Sequence, residues 1–369
     1  MINFRCFVFG FIIAPVFISC HNGNRGSDLI DHGDNSAIQA PDLIEFVKPF
    51  GGSKFKLGDK IEIQLKKNID SVTIDSIVFS SNKRVLDRIT NKNVFQLMWD
   101  SKNSRLGHVA IDATIYAGGK IRQKVSTVIQ LLSDAKPLQY SYKILKTYPH
   151  SRDYYTQGLI YEKGYLYESD GLYTRSAIRK IKLETGEVVN FSNVDKAVFA
   201  EGIAIYDDKI YQLSWREKVG CIYDKNSLGL DHKFNYNIAE GWGLECNGQN
   251  FLMTDGSSTV YFMEPEYFTQ VDKIEVTDDN GPVENLNELE LVKGKLFANV
   301  YQKDIVVIIN TDNGKVEGVI DFTGLLPSSD YTENTDVLNG IAYNPSNGHI
   351  FITGKNWPKL FEITIEPKK

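Results

Sequence analysis

Between residues 155 and 365 the chain alternates short apolar runs with polar turns, and one unit of this pattern occurs five times. Each unit starts with a polar or aromatic residue and passes through glycine or glutamate into an apolar run. A second apolar run ends 14 to 16 residues after the start. The starts are Gln157, Glu201, Trp242, Asn287 and Asn339, and the ends of the second runs are Gly171, Trp215, Gly256, Tyr301 and Lys355.

The spacing of these units predicts a five-bladed β-propeller. The starts lie 44, 41, 45 and 52 positions apart, and repeats of about 40–50 residues built from short strands are typical of propellers. Because blades stack around a channel, equivalent positions of the repeats should meet near the axis. A set with one carboxylate, one ammonium group, several amides and aromatic rings indicates a site there. Ordinary strand-start and turn residues are the alternative interpretation.

Residues 43–135 predict a separate, smaller β domain. They carry strand patterns and almost no helix signal, with apolar runs at 61–65, 72–74, 77–79, 95–99, 109–115 and 125–129. About ninety residues of short antiparallel strands are typical of an immunoglobulin-like sandwich. Pro137 marks the linker to the propeller domain, 138–369. We expect the strand at 140–145 to complete the last blade, which lacks one strand of its own.

The N-terminus predicts export. Residues 6–18 form an apolar stretch of about 13 residues, which is shorter than the ~20 needed for a membrane span. The pair Ser19-Cys20 at its end resembles a bacterial lipobox, so residues 1–20 are expected to be a signal peptide and Cys20 a lipidation site. An ordinary secretory signal cut nearby is the alternative. Polar residues 21–42 predict a flexible tether. Because His21 follows Cys20 rather than aspartate, we expect an outer-membrane lipoprotein in the cell envelope, facing the periplasm or the cell surface.

Charge and cysteine content exclude some functions. The formal net charge of −6 is spread along the chain, and no basic patch indicates a nucleic-acid partner. After the signal peptide and the lipidation site, Cys221 and Cys246 remain, either as a disulfide between neighbouring repeats or as two free thiols. The six histidines show no metal-ligand spacing, so no metal site is expected from the residues.

The order of the motifs in the repeats resembles the plant and bacterial glutaminyl cyclases. The segments that carry the resemblance include Gln157-Gly158-Leu159, Phe199-Ala200-Glu201-Gly202, Glu240-Gly241-Trp242-Gly243, Leu286-Asn287-Glu288-Leu289, Asn339-Gly340-Ile341-Ala342 and Thr353-Gly354-Lys355-Asn356-Trp357-Pro358. The resemblance covers about 145–365. It implies a five-bladed propeller that converts the N-terminal glutamine of peptides or proteins into pyroglutamate and releases ammonia. It implies no required cofactor, and a structural cation in the propeller channel is expected only by analogy.

By this resemblance Glu201 is the catalytic carboxylate. The chemistry agrees, because one carboxylate within reach of both nitrogens of glutamine can take a proton from the attacking amine and return it to the leaving amide. An apolar pocket should raise its pKa toward neutrality, and Trp215 and Trp242 match family residues that would form the pocket wall. The alternative is a strand-start acid that binds backbone amides.

The remaining site residues also follow from the resemblance. Lys355 and Asn287 match positions near the substrate, where they should hold the carboxamide oxygen or stabilise the oxyanion. The alternative for Lys355 is a solvated turn lysine. Gln157 should orient the amine or the amide. Tyr155 and Phe199 would line the pocket mouth, and Tyr301 stands where the family often has tryptophan.

Two other functions fit a propeller with this site. One is a non-catalytic module on the cell envelope that binds a peptide or a glycan. The other is a lactonase-like metalloenzyme, which needs several acids around a metal. Among the residues of the predicted ring only Glu201 is acidic, so this second function ranks lowest.

Overall fold

The computed structural model describes residues 42–90 and 94–368, and this part of the chain is all-β, as the sequence predicts. Its one helical segment is a 3-10 turn at Ser328–Asp330. Within the described residues no helix is long and apolar enough to cross a membrane. The predicted signal peptide 1–20, the lipidation site Cys20 and the predicted tether 21–42, apart from its last residue, lie outside the described residues.

The first eight strands form two sheets around one hydrophobic core. The strands are β1 (Ile44–Lys48), β2 (Lys54–Lys56), β3 (Lys60–Lys67), β4 (Ser76–Ser81), β5 (Arg84–Ile89), β6 (Gln96–Asp100), β7 (Gly107–Ala117) and β8 (Lys120–Leu132). Their order is β1-β3-β6 in one sheet and β2-β8-β7-β4-β5 in the other. Alternate residues of β3 and β7, among them Ile61, Ile63, Ile111 and Ile115, are buried in that core. The period-two pattern therefore predicts these strands correctly.

Three features of this region differ from the prediction. Strand β2 pairs in parallel with β8, so the region is not purely antiparallel. The run at 72–74 forms no strand. Strands β1, β2 and β5 have no counterpart in the predicted strands, because each lies at a sheet edge, where alternation of apolar residues is not required.

The repeats form the remaining strands. A long strand, β9 (Leu138–Pro149), precedes them. The first two repeats contain β10 (Thr156–Glu162), β11 (Tyr165–Asp170), β12 (Ala177–Lys182), β13 (Val188–Asn193), β14 (Ala200–Tyr206), β15 (Lys209–Ser214), β16 (Val219–Asp224) and β17 (Leu230–Asn235). The last three contain β18 (Leu244–Cys246), β19 (Phe251–Thr254), β20 (Thr259–Met263), β21 (Gln270–Glu275), β22 (Leu286–Val292), β23 (Lys295–Val300), β24 (Ile305–Ile309), β25 (Val316–Asp321), β26 (Leu338–Asn344), β27 (His349–Gly354) and β28 (Lys359–Pro367).

The first strands of the five repeats, here called the inner strands, are β10, β14, β18, β22 and β26. Each contacts the next, and β26 contacts β10, so the inner strands form a closed cycle. The first four repeats are antiparallel units of four strands in chain order. The cycle brings the starts of all inner strands to one place, as the repeat pattern predicts.

Strand β9 completes the last repeat. It pairs antiparallel with β28 from Lys359↔Pro149 to Pro367↔Tyr140. Its first residues also pair in parallel with β25, which joins the last two repeats into one sheet of eight strands. The chain thus supplies the fourth strand of the fifth repeat from before the first, in the region where the sequence predicts it.

The two-sheet region is anchored on the outer strand of the third repeat. Both terminal nitrogens of the Arg105 guanidinium group donate hydrogen bonds of 2.7 Å to the carboxylate of Asp272 in β21. The backbone N–H of His108 donates to Glu275 at 2.8 Å. Such bidentate, charge-assisted contacts fix orientation as well as distance.

Glu288 joins three inner strands. From β22, its Oε1 accepts a hydrogen bond from the Leu159 N–H of β10 at 3.2 Å, and its Oε2 accepts one from the Ile341 N–H of β26 at 2.8 Å. Glu288 is 2% exposed. Burial raises its pKa well above the usual range, although both backbone donors lower it. A buried acceptor that satisfies N–H groups of two other strands ties the cycle together.

The contacts of Glu288 predict a stability effect. In Glu288→Gln an amide NH2 replaces one acceptor oxygen and faces a backbone N–H, so the free energy of unfolding should fall by about 1–3 kcal/mol. Denaturant unfolding measures this loss. Glu333→Gln, at an exposed position, is the matched control and should change the free energy by less than ~0.5 kcal/mol. Equal denaturant concentrations at the midpoint of unfolding for both variants would contradict the role of Glu288.

Candidate active site

The nine residues predicted to form the site line one cavity of about 210 Å³. These residues are Tyr155, Gln157, Phe199, Glu201, Trp215, Trp242, Asn287, Tyr301 and Lys355. They come from the starts of inner strands and from the residues that follow second strands. Because first and second strands run antiparallel, these two groups of positions lie at the same end of each repeat.

A shift in strand pairing turns the inner-strand residues toward the cavity. The register of β10 shifts between Thr156 and Gly158, and that of β14 between Ala200 and Ile203. The same shift recurs at the starts of β22 and β26. An extra residue in one strand re-aims its side chain, so Gln157 and Glu201 leave the ordinary alternation. The glycine or glutamate that follows each start marks this position in the sequence, but the sequence analysis did not predict the shift.

Glu201 lines the cavity and is 5% exposed. Its Oε1 accepts a hydrogen bond from Gln157 Nε2 at 3.2 Å. Burial raises the pKa of Glu201 well above its usual value, the charge of Lys355 lowers it, and the charges of Glu240 and Glu217 raise it further. The interpretation of Glu201 as an acid bonded to backbone amides is wrong for the described structure, because its carboxylate contacts a side-chain amide instead.

Lys355 is buried in the same cavity and is 3% exposed. Its Nζ lies 4.7 Å from the centre of the Tyr155 ring and 5.2 Å from that of Tyr301. Burial lowers the pKa of Lys355, and the charges of Glu201 and Asp336 raise it in part. Among the described residues no carboxylate lies within ion-pair distance of this Nζ. The alternative of a solvated turn lysine is therefore wrong, and the ammonium group is held by aromatic faces.

Aromatic side chains form the cavity wall. The Phe199 ring lies 5.6 Å from that of Trp215, and the Trp242 ring lies 5.5 Å from that of Tyr301 in an edge-to-face arrangement. Trp242 precedes β18 rather than starting it, so its inner strand is shorter than the others. The second-strand end of the third repeat is Gly256, and a Cβ there would lie 2.6 Å from Trp242 Cζ2. The missing side chain makes room for the indole.

Two predicted amides differ in what they do. Asn287 lines the cavity, and its buried Oδ1 has no hydrogen-bond partner among the described residues. Asn339, predicted in the same ring, does not line the cavity. Its Nδ2 donates to the backbone oxygen of Thr156 at 2.9 Å and lies 3.4 Å from Gln157 Oε1. Asn339 therefore supports Gln157, and Asn287 keeps a free acceptor at the site.

Two acids that no sequence pattern indicates hold cavity residues in place. The hydroxyl of Tyr155 donates to Asp336 at 2.8 Å, and Glu240 accepts from indole nitrogens of the wall. Glu240 was visible only as the residue that opens the Glu240-Gly241-Trp242 motif, and Asp336 lies in a loop without any signal. Neither acid lines the cavity, so a pattern based on repeat starts could not find them.

No metal centre was found in the described ranges 42–90 and 94–368. They contain no group of three or more histidine, cysteine, aspartate or glutamate side chains placed to hold a metal ion. The structural cation expected in the channel by analogy stays a prediction. Cys221 and Cys246 are both free thiols, which leaves the second of the two cysteine interpretations.

Comparisons with known proteins identify the family of the chain. A model of the glutamine cyclotransferase family matches residues 114–365, more than half of the chain. A glutaminyl-peptide cyclotransferase from Arabidopsis thaliana is 36% identical over 229 residues, which are 61% of this chain and 71% of the plant protein. The crystal structure of Myxococcus xanthus glutaminyl cyclase aligns with a TM-score of 0.59 and 33% identity, and covers 63% of this chain and 100% of that chain.

The family match begins earlier than the sequence resemblance, which starts at about 145. It takes in the end of β7 and all of β8. All nine cavity residues lie inside the matched range. The chain therefore belongs to the glutamine cyclotransferase family, enzymes that convert an N-terminal glutamine into pyroglutamate.

Proposed function

We propose that the cavity is the active site of this cyclase and that Glu201 is its general acid/base. The observation that carries the proposal is a buried carboxylate with a raised pKa, in one cavity with a buried lysine whose pKa is lowered. Groups tuned in this way cluster at functional sites. The substrates are peptides or proteins with an N-terminal glutamine, and no cofactor takes part.

The reaction is an internal transfer that one carboxylate can serve. The α-amine nitrogen of the substrate attacks its own side-chain carboxamide carbon and forms a C–N bond. Glu201 accepts the proton that this nitrogen loses and donates it to the amide nitrogen. The bond from the carboxamide carbon to that nitrogen then breaks, and ammonia leaves. The raised pKa suits a group that must accept a proton and then donate it.

Lys355 and Asn287 have separate tasks at the carboxamide. The ammonium group of Lys355 donates to the carboxamide oxygen as negative charge develops on it, an interaction that is worth ~3–4 kcal/mol per donor in other enzymes. The free Oδ1 of Asn287 accepts from an N–H of the substrate. Gln157 orients the nitrogen next to Glu201, to which it is already hydrogen bonded.

The aromatic residues hold the glutamine side chain folded back and exclude water. Tyr155, Phe199 and Tyr301 line the cavity, and Trp215 and Trp242 form the apolar wall beside Glu201. Cyclisation needs the two reacting atoms close together, and positioning alone can remove several kcal/mol of the barrier. Only the first residue of the substrate enters the cavity, so wide tolerance beyond that residue follows.

The fold that carries this site is a five-bladed propeller, 138–369, behind an immunoglobulin-like sandwich, 43–135. The closed cycle of five inner strands and the strand β9 in the last repeat support the propeller. The two sheets of β1 to β8 around one core support the sandwich. The sandwich spaces or docks the enzyme and carries no proposed chemistry.

We also propose that the enzyme is an exported lipoprotein of the cell envelope. The apolar segment and the Ser19-Cys20 pair of residues 1–20 support a signal peptide and lipidation of Cys20. Residues 21–42 then act as a tether to the outer membrane. Peptides with N-terminal glutamine in the periplasm or at the cell surface are the substrates within reach.

Glu201→Gln tests the acid/base role. The amide cannot carry the proton, so kcat for ammonia release from a Gln-containing dipeptide should fall by about 10²–10⁴-fold. Glu333→Gln should keep the wild-type rate. In the wild type, kcat/KM should rise with pH through a pKa above the ordinary ~4.3 of glutamate, because Glu201 must begin as the base. Wild-type turnover in Glu201→Gln would disprove the role.

Gly256→Ala tests the tryptophan wall. The new methyl group meets Trp242 Cζ2 at 2.6 Å and must displace the indole, so kcat/KM should fall by about 10–100-fold. Gly294→Ala is the matched control, because its φ of +78° resembles the +81° of Gly256 but no atom lies within 4 Å of the new Cβ. Both variants carry the cost of a positive φ, and only the first should lose activity. Equal kcat/KM values for the two variants would contradict the role of Trp242 in the cavity wall.

Cys20→Ser tests the lipid anchor. Without the thiol, no lipid can be attached, and the enzyme should move from the membrane fraction to the soluble fraction. Fractionation of cells fed with labelled fatty acid measures both the location and the label. Retention of the variant in the membrane at the wild-type level would refute the anchor and leave the ordinary secretory signal.

A further inference from the structure

Two indoles of the cavity wall share one carboxylate oxygen. Trp215 Nε1 donates a hydrogen bond to Glu240 Oε2 at 2.8 Å, and Trp242 Nε1 donates one to the same atom at 3.1 Å. Trp215 follows β15 in the second repeat, and Trp242 precedes β18 in the third. One side chain therefore couples the orientation of two rings that come from different repeats.

The other oxygen of Glu240 is held by the residue that follows Trp215. Arg216 Nε donates to Glu240 Oε1 at 2.8 Å, and the guanidinium carbon lies 3.7 Å from the centre of the Trp215 ring. Burial tends to raise the pKa of Glu240, but hydrogen bonds from Trp242, Arg216 and Trp215 bring this pKa below its usual value. Glu240 is thus an anion at neutral pH, and charged acceptors make the stronger hydrogen bonds.

Backbone contacts hold the same segment without this carboxylate. The Gly241 N–H donates to the Trp215 oxygen at 2.8 Å, and the Trp242 N–H donates to the Thr254 oxygen at 2.9 Å. The Gly202 N–H donates to the Trp242 oxygen at 2.7 Å. Loss of the Glu240 carboxylate should therefore free the two indoles while the main chain stays in place.

We propose that Glu240 is a positioning residue for substrate binding. It sets the separation of the Trp215 and Trp242 rings, and this separation sets the width of the cavity for an unbranched amide side chain. This inference rests on the proposed function, because it takes both rings as the wall around the substrate. Glu240 does not line the cavity, so it acts through the rings. Its loss should weaken binding more than it slows the chemical step.

A second effect of Glu240 must be separated from positioning. The charges that face Glu201 are those of Lys355, Glu240 and Glu217, and both glutamates raise the pKa of Glu201. Glu217 accepts a hydrogen bond from the Tyr173 hydroxyl at 2.9 Å, and no indole of the wall donates to it. Removal of Glu217 thus removes a like charge and leaves the indoles held.

The experiment compares Glu240→Ala with Glu217→Ala in the full chain, using a Gln-containing dipeptide. Glu240→Ala should raise KM about tenfold, since two hydrogen bonds to a charged acceptor are lost, and should change kcat less than threefold. It should also change the emission of the enzyme's tryptophans, of which there are four. Glu217→Ala should keep KM within twofold and leave the emission unchanged. Both should move the acid limb of kcat/KM to lower pH, because a negative charge near Glu201 is gone.

Glu240→Gln distinguishes positioning from charge. It removes the charge but keeps an oxygen for the indoles, so its KM should lie between those of the wild type and Glu240→Ala. Thermal unfolding shows whether Glu240→Ala folds. If it does not, Glu240→Gln and Glu217→Gln are compared instead, with KM, tryptophan emission and the acid limb of kcat/KM as the measurements.

Two outcomes would overturn the proposal: an unchanged KM in the Glu240 variants, or a rise in KM that the matched Glu217 variant shares. Failure of the proposed function is a different result. Full activity of Glu201→Gln would refute the acid/base role, and the KM and emission comparison at Glu240 would still decide whether this carboxylate positions the wall.

Discussion

The structure buries a carboxylate and an ammonium group in one cavity and keeps them out of a direct ion pair. Burial works against the charged form of each, and their mutual attraction offsets only part of that cost. A direct contact would use the donors of Lys355 and the acceptors of Glu201 on each other. Held apart, by the Tyr155 and Tyr301 faces on one side and by Gln157 on the other, both groups remain available to a substrate. The cycle of inner strands matters because it brings together, from different repeats, the residues that bury this pair.

Repetition of one backbone irregularity supplies the site with different chemistries. The register shift at the starts of β10, β14, β22 and β26 presents one side chain per repeat in the same direction. In the first, second and fourth repeats this side chain is an amide or an acid that lines the cavity, and in the fifth repeat it is Asn339, which supports Gln157. The backbone thus fixes the position and direction of these side chains, and the residue type at each position decides what the side chain does. At the second-strand end of the third repeat, Gly256 has no side chain, and the Trp242 indole occupies that space.

Sequence alone predicted the parts that repeat or alternate. Five similar units located the inner strands. The resemblance named all nine residues that line the cavity, because each occupies a fixed place in its unit. Residues outside such places were not found: Asp336 lies in a loop, and Glu240 acts on side chains that only the fold brings together. The exposed edge strand β5 was missed because nothing forces its pattern. The parallel pairing of β2 with β8 depends on contacts between distant segments, which period-two patterns do not encode.

The strand that β9 contributes to the last repeat sets the order in which the molecule can be made. Ser141 and Glu366 are hydrogen bonded although 225 positions separate them, so the sheet that closes the cycle forms only when β28 has been synthesised. Closure of so long a loop is entropically costly and makes this step late in folding. Before it, the first and last repeats present unpaired edges, and Lys355, near the C-terminus, has not yet met Glu201. A nascent chain therefore cannot assemble the cavity until β28 has been made.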